Sequence, residues 1–115
     1  MNRDPRVRLH DILESIRNIR AYTSDLTREQ FLEDPLIQDA VVRRLEVIGE
    51  AVKGLSQSEL DQAPEVPWGK IAGTRDKLIH GYYIVDFELV WEMVTSHLEA
   101  LRAAAERILA GYETT

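Results

Sequence analysis

The residues with the most reactive side chains form one short stretch of the chain, Arg75-Asp76-Lys77-Leu78-Ile79-His80-Gly81-Tyr82. It combines a guanidinium that is charged at every accessible pH with an imidazole, whose reference pKa is about 6.5. A planar guanidinium matches phosphate oxygens and stabilises extra negative charge on them, and an imidazole transfers protons near pH 7. Arg75 and His80 therefore suit the cleavage of a phosphodiester bond, as in RNA.

Nothing in the sequence predicts a metal site or a bound cofactor. The chain contains no cysteine, so thiolate ligands and disulfides are excluded. Its three histidines, His10, His80 and His97, stand far apart, and no two of them have the spacing of a metal-binding motif. We expect chemistry at Arg75 and His80 to need no metal ion.

Arg75 and His80 are five residues apart, which is about 140° around a helix with 3.6 residues per turn. Residues with that separation do not share one face of a helix. Either Gly81 ends the helix at His80 and the last turn is distorted, or the site is formed across an interface from two copies of the stretch. The second alternative predicts a symmetric homodimer in which each motif lies beside its mate.

An interpretation without chemistry also fits these residues. Arg75 and Asp76 then form surface ion pairs, His80 with Gly81 forms a helix C-terminus, and Tyr82 packs against the bundle. In that case the chain is a non-catalytic helical module that binds a nucleotide or a partner protein.

Length and charge limit the function of the chain. Its 115 residues are enough for one core, so we predict a single domain, residues 1–115. The net charge of −6 argues against general nucleic-acid binding, which depends on many lysines and arginines. Any positive potential must be confined to a cleft, with Arg75 and Lys77 as its sources and Arg43 and Arg44 as further candidates.

Because no apolar run is long enough for a signal peptide or a membrane span, we expect a cytoplasmic protein with no membrane contact.

Asp-Pro pairs mark the starts of two long helices. Asp4-Pro5 and Asp34-Pro35 each combine an N-cap residue with a proline suited to the first helical position. Apolar residues come after each start mostly at spacings of three and four, which predicts amphipathic helices. The first set is Leu9, Ile12, Leu13, Ile16, Ile19 and Tyr22, and the second is Ile37, Val41, Leu45, Ile48, Val52 and Leu55.

Two further helices are predicted, a short one after Thr27 and a longer one that contains the reactive stretch. Thr27 and Gln30 have the spacing of a capping box, which predicts a short helix after Thr27. Pro67-Trp68 opens a helix that contains the reactive stretch. We interpret Gly69 and Gly73 in that helix as residues that permit close packing.

The C-terminal third is predicted to be one long helix. Residues 82–85 form a connecting loop, and Asp86 is a suitable N-cap for the helix that begins after it. One apolar stripe runs from Phe87 to Ile108 and includes His97, which we expect to be buried and hydrogen-bonded or at the edge of the stripe; Gly111 is a fitting stop. The predicted fold is all-α, an up-and-down antiparallel bundle of four main helices with one or two short helices.

Several parts of the chain resemble the HEPN superfamily, and within it the HepT-type toxins that pair with minimal nucleotidyltransferases in bacteria. The family signature is an arginine, four residues, a histidine, one residue and a tyrosine, and Arg75, His80 and Tyr82 match it. The residue after the arginine is usually polar in the family, and here it is Asp76. The remaining resemblance lies in residues 8–13, 44–51, 67–73 and 85–91.

The resemblance implies a homodimeric helical bundle with its two motifs at a shared cleft. It implies a metal-independent ribonuclease, the toxin of a type II toxin–antitoxin system, with Arg75 and His80 as the catalytic pair and RNA as the substrate. Asp76 is then a supporting polar residue of the motif. The implied antitoxin is a cognate minimal nucleotidyltransferase that transfers AMP from ATP to Tyr82, with the adjacent Tyr83 as an alternative acceptor. Attached AMP adds negative charge and bulk that would repel the phosphates of RNA.

Overall fold

The structure is a computed structural model that describes residues 4–80 and 85–113, with the backbone alone at Arg75 and at residues 78–80. Across these ranges the fold is all-α, as the sequence predicts, and it contains seven helices. They are α1 (Pro5–Thr23), α2 (Arg28–Leu32), α3 (Pro35–Lys53), α4 (Gln57–Leu60), α5 (Trp68–His80), α6 (Phe87–Ser96) and α7 (Leu98–Glu113). Of the helices in the described ranges, none combines the length and the apolar composition that crossing a bilayer requires.

Four of these helices begin at the caps that the sequence predicts. The carboxylates of Asp4, Asp34 and Asp86 accept hydrogen bonds from backbone N–H groups in the first turns of α1, α3 and α6. At α2 the capping box is complete, since the Gln30 N–H donates to Thr27 Oγ1 at 3.1 Å and the Thr27 N–H donates to Gln30 Oε1 at 2.8 Å. Each cap contributes about 1 kcal/mol to helix stability.

The core is organised on α3, which packs against both α1 and α5, while α1 also packs against α7. The predicted apolar stripes of α1 and α3 face this core, except that Tyr22 at the end of the α1 stripe is exposed. It includes Leu9, Ile12, Ile16 and Ile19 from α1, Val41, Leu45, Ile48 and Val52 from α3, and Leu101, Ala104, Ala105 and Ile108 from α7.

The short helix α2 holds α6 against the rest of the fold. Phe31 of α2 is fully buried, and its ring centroid lies 5.1 Å from that of Trp91 and 6.4 Å from that of Phe87, both on α6. The buried Gln38 donates from Nε2 to the Phe31 carbonyl at 3.0 Å, which ties α2 to α3 as well. α2 thus contacts both α3 and α6, and α6 is also in contact with α7.

The C-terminal third differs from the expectation of one helix. His97 separates α6 from α7, with φ −118° and ψ −21°, whereas a regular α-helix has φ near −63°. Just before it, Thr95 Oγ1 donates to the Trp91 carbonyl at 2.9 Å, a bond between a side chain and the preceding turn that often bends helices. The expected single helix is therefore two helices.

Two smaller expectations also change. α7 passes through Gly111 and ends at Glu113, so Gly111 is not a stop. Among the helices of the described ranges, five have ten or more residues, where the sequence analysis expected four main helices. The fifth arises from the division at His97.

The glycines of α5 are not packed in the way that the sequence suggested. A Cβ atom added at Gly69 or Gly73 would meet no described atom within 4 Å outside the helix itself. A Cβ atom at Gly54, by contrast, would lie 1.9 Å from Cζ of Arg8. The close approach within this part of the chain is therefore at Gly54, and Gly69 and Gly73 border open space.

Candidate active site

Helix α5 carries the arginine and the histidine of the reactive stretch. Its first residue is fixed by two hydrogen bonds, because the Trp68 indole N–H donates to the carbonyl oxygens of Ala63 at 2.9 Å and Leu60 at 3.1 Å. From there α5 continues to His80, so the positions of Arg75 and His80 lie about 140° apart around its axis.

The other residues of the predicted motif fall outside what the structure describes. Tyr82 and Tyr83, the two candidate AMP acceptors, lie there, and so does Gly81, at which one alternative ended the helix. Arg75 and His80 are described as positions on α5. Their catalytic roles remain predictions.

Asp76 connects the reactive helix to α3. Lys53 donates from Nζ to both of its carboxylate oxygens, at 2.8 Å and 2.9 Å. The Lys53 and Asp76 side chains are 41% and 50% exposed, so the ion pair adds less than about 1 kcal/mol to stability. The pair joins the end of α3 to the middle of α5. Sequence reasoning identified Asp76 but missed Lys53, which lies 23 residues earlier.

A groove of about 250 Å³ runs between α5 and α6 beside the reactive stretch. Lys70 and Lys77 stand on the α5 side, with Thr74 between them. The other side is formed by apolar and acidic residues of α6 and by residues just before and just after that helix. These residues are Val85, Asp86, Leu89, Val90, Glu92, Met93 and His97.

His97 stands where the groove meets the bundle interior. It borders the groove on one side and, on the other, an inner cavity of about 10 Å³ that is lined mainly by apolar side chains such as Leu45 and Leu101. The residue is half-buried, and its Nε2 atom is buried without a hydrogen-bond partner among the described residues. The expectation of a position at the edge of the apolar stripe is met, and the expected hydrogen bond at Nε2 is not found there.

The cations that the sequence offered as further sources of positive potential lie elsewhere. Arg43 is exposed on α3 and lies 3.7 Å from Glu46 through its Nη1 atom. Neither it nor Arg44 borders the groove, whose described cations are Lys70 and Lys77. Sequence reasoning missed Lys70, although its spacing of seven residues from Lys77 places both near one face of a helix.

A buried carboxylate away from α5 serves a structural role. Glu59 of α4 is 3% exposed, accepts a short hydrogen bond from the Tyr112 hydroxyl and accepts another from the Ser56 N–H at 2.7 Å. Burial by itself would raise the pKa of Glu59, but these hydrogen bonds outweigh it and lower the pKa. The bond to Glu59 raises the pKa of Tyr112. This pair fastens α4 to the end of α7.

No group of three or more histidine, aspartate or glutamate side chains in the described ranges is arranged to hold a metal ion. The groove instead offers two lysines, the carboxylate of Glu92 and an apolar floor. An apolar lining with a few polar groups is typical of sites for small molecules.

Comparison with known proteins identifies the family. The profile of a family described as ribonuclease HepT-like matches residues 12–108. A protein of Methanocaldococcus jannaschii named as a candidate RNase is 47% identical over 92 residues, which are 80% of this chain and 76% of that protein. A second candidate RNase of the same organism is 40% identical over 111 residues, 96% of this chain and 92% of that protein. A protein of Thermococcus cleftensis named as a probable ribonuclease HepT is 39% identical over 108 residues, 94% of this chain and 98% of that protein.

No solved structure matches this chain with significance. The matched profile covers most of the chain, which therefore belongs to the ribonuclease HepT-like family.

Proposed function

We propose that this chain is a cytoplasmic endoribonuclease that needs no metal ion and acts as the toxin of a toxin–antitoxin pair, with Arg75 and His80 as its catalytic residues. The observation that carries the proposal is the presence of both residues on one helix, α5, in a chain of the ribonuclease HepT-like family. The names of the relatives, which are candidate or probable ribonucleases, support the same reaction.

In the proposed reaction the 2′-oxygen of RNA attacks the adjacent phosphorus. The bond from phosphorus to the 5′-oxygen breaks, leaving a 2′,3′-cyclic phosphate and a free 5′-hydroxyl. A neutral His80 imidazole takes the proton of the 2′-hydroxyl, and a protonated His80 of a second copy gives a proton to the leaving 5′-oxygen. Arg75 offsets the extra negative charge on the pentacoordinate phosphorus.

A homodimer is part of the proposal, because one α5 helix does not bring Arg75 and His80 to a common face. A second copy of α5 would supply the missing group from across a symmetric interface. The open space beside Gly69 and Gly73 supports this arrangement, since helices approach closely where side chains are absent. Gly73 lies seven residues before His80, about two turns along the same helix.

Growth and cleavage assays test the catalytic proposal. We expect the wild-type chain to arrest growth in a host that lacks the antitoxin and to cut RNA in the presence of a chelator. Arg75→Ala and His80→Ala should abolish both effects while the helical content is retained. His10→Ala is the matched control, because His10 is exposed on α1. Cleavage that survives the changes at Arg75 and His80 would exclude them as the catalytic pair. The absence of cleavage by the wild-type chain would favour the alternative of a non-catalytic nucleotide- or partner-binding module.

Neutralisation is proposed to occur through AMP transfer to Tyr82 by a cognate minimal nucleotidyltransferase. Incubation of the purified chain with that enzyme and ATP should add the mass of AMP, and Tyr82→Phe should prevent the addition while Tyr83→Phe does not. Full modification of the Tyr82→Phe chain would assign the acceptor elsewhere. Loss of modification only in Tyr83→Phe would identify the neighbouring phenol.

A further inference from the structure

The two sides of the groove between α5 and α6 carry opposite charges. The α5 side presents Lys70 and Lys77, two of the three lysines in the chain, and neither forms an ion pair with a described residue. On the other side, Asp86 is engaged as the cap of α6, where its Oδ1 accepts from the N–H groups of Glu88 and Leu89. Glu92 is the other carboxylate on that side, and no ion pair joins it to a described residue.

The floor of the groove is apolar. Val90 and Met93 are buried at 4% and 7% exposure, and the neighbouring Leu89 is 54% exposed. The volume of about 250 Å³ lies just below the range of roughly 300–1,000 Å³ that is typical for drug-sized ligands. One flat heterocyclic ring with a short polar extension fits such a space.

The groove lies in a fixed register with the proposed catalytic residues. Lys77 comes two residues after Arg75 and three before His80, which are rises of about 3 Å and 4.5 Å along the helix. Lys70 is seven residues from Lys77, or about 10.5 Å along the same helix. Around the helix axis Lys77 lies about 60° from His80 and about 160° from Arg75. The groove therefore adjoins the position of His80, and Lys70 extends its row of cations away from that position.

We propose that this groove binds one nucleotide of single-stranded RNA beside the phosphate that is cleaved, and that it prefers a base with an exocyclic amino group. The position relative to the cleaved phosphate rests on the proposed ribonuclease function. The sugar–phosphate backbone runs along Lys77 and Lys70 on α5, and the base lies on Val90 and Met93 with its polar edge towards Glu92.

The preference for an amino group comes from the chemistry of Glu92. A carboxylate accepts a hydrogen bond from the amino group of cytosine, and those of adenine and guanine are donors as well. Uracil presents a carbonyl oxygen where cytosine presents its amino group. This oxygen and the Glu92 carboxylate are both acceptors, so no hydrogen bond could form between them. A surface for a second copy of this chain is less suited to the groove, because the centres of protein interfaces are depleted in charged residues.

The direct test is an NMR titration of the purified chain with CMP and, separately, with UMP. The reporters are the imidazole resonances of His97 and the methyl resonances of Met93 and Val90, which border the groove. We expect CMP to shift these resonances and UMP to need about tenfold higher concentration, the effect of one discriminating hydrogen bond.

Four variants decide which residues are responsible. Lys70→Ala should weaken CMP binding about tenfold through loss of a charged contact, and Glu92→Gln should reduce the difference between CMP and UMP. Arg17→Ala and Glu33→Gln remove the same charges from exposed positions on α1 and next to α2, and they should change neither binding nor preference. Equal binding of CMP and UMP, or binding that is unchanged in both groove variants, would overturn the proposal.

Three further outcomes separate this proposal from others. Groove resonances that shift with protein concentration, and not with nucleotide, would show that the groove is an interface between copies and would overturn it. A chain that binds CMP in the groove but cuts no RNA would contradict the ribonuclease proposal and still support the groove as a nucleotide site. RNA cleavage that depends on His80, without any change of the groove resonances when nucleotide is added, would support the ribonuclease proposal and contradict the groove as a nucleotide site.

Discussion

The ammonium group of Lys53 lies 2.8 Å and 2.9 Å from the two carboxylate oxygens of Asp76. Lys53 is the last residue of α3, where unsatisfied carbonyl groups favour a positive charge. Asp76 comes directly after Arg75 on α5. One ion pair thus connects the end of the central helix to the turn that carries the proposed catalytic arginine.

Replacing Lys53 with methionine removes this ion pair and keeps most of the apolar stem. We expect the free energy of unfolding to fall by less than about 1 kcal/mol, because the pair is exposed. The rate of RNA cleavage should fall by about tenfold, since small displacements of catalytic groups are costly. Urea denaturation and a cleavage assay measure the two effects. Arg17→Met, which breaks an exposed pair with Glu14 on α1, is the control and should leave the rate unchanged. A wild-type rate in Lys53→Met would show that the pair does not position the motif.

Gly54→Ala should lower the free energy of unfolding by less than about 1 kcal/mol, because the new methyl group displaces only the flexible end of the Arg8 side chain and the loss of a glycine offsets part of the cost. Gly111→Ala is the control, since a Cβ atom there meets no described atom within 4 Å, and it should stabilise α7 by roughly 0.5–1 kcal/mol. Thermal or urea denaturation measures both. In an Arg8→Ala background the cost of Gly54→Ala should disappear, and a cost that persists would point to another cause.

Tyr112→Phe removes the hydroxyl that donates to the buried Glu59. We expect the free energy of unfolding to fall by about 1–3 kcal/mol, the cost of leaving a buried acceptor with fewer partners. The pKa of Glu59 should rise, because burial is then opposed by fewer hydrogen bonds. Denaturation and an NMR titration of the Glu59 carboxyl carbon test these statements. Tyr22→Phe, at an exposed position on α1, should change stability little, and equal losses in both variants would argue against the role given to Tyr112.

Acid should weaken the contact between Glu99 and the arginines around it. Hydrogen bonds from Arg102, and then from Arg20, lower the pKa of Glu99 from 4.5 to about 2. Because the folded pKa is the lower one, the stabilisation is complete above pH 4.5 and is lost as the pH falls towards 2. The wild type should therefore exceed Glu99→Gln in melting temperature at pH 7, and the difference should close between those two pH values. A difference between the two chains that is constant over this range would contradict the assignment, and Glu33→Gln provides the control.

The starts of α1, α2, α3 and α6 were predictable because the signals are local. Asp4, Asp34 and Asp86 each lie within three residues of the N–H groups that they accept from. The apolar stripes of α1 and α3 are also predictable from spacing alone. The same local signals placed Arg75 and His80 on one helix.

Other features depend on contacts that spacing does not reveal. The spacing of three and four from Phe87 to Ile108 continues through His97, so it predicts one helix, and nothing in it marks the division that the structure has there. The pairing of Lys53 with Asp76 depends on how α3 crosses α5. The groove depends on how α6 lies beside α5, and nothing in the spacing of Lys70 and Lys77 indicates what faces them.

Phe31 occupies the side of α6 opposite the groove, with its ring 5.1 Å from that of Trp91, and it does not border the groove itself. A smaller side chain at that position would let α6 settle towards α2 and draw Leu89 away from α5. The size of the ligand that the groove accepts is therefore adjustable from a residue that never contacts the ligand. If the groove binds a nucleotide as proposed, its preference can change through substitutions confined to α2, a five-residue helix behind the site.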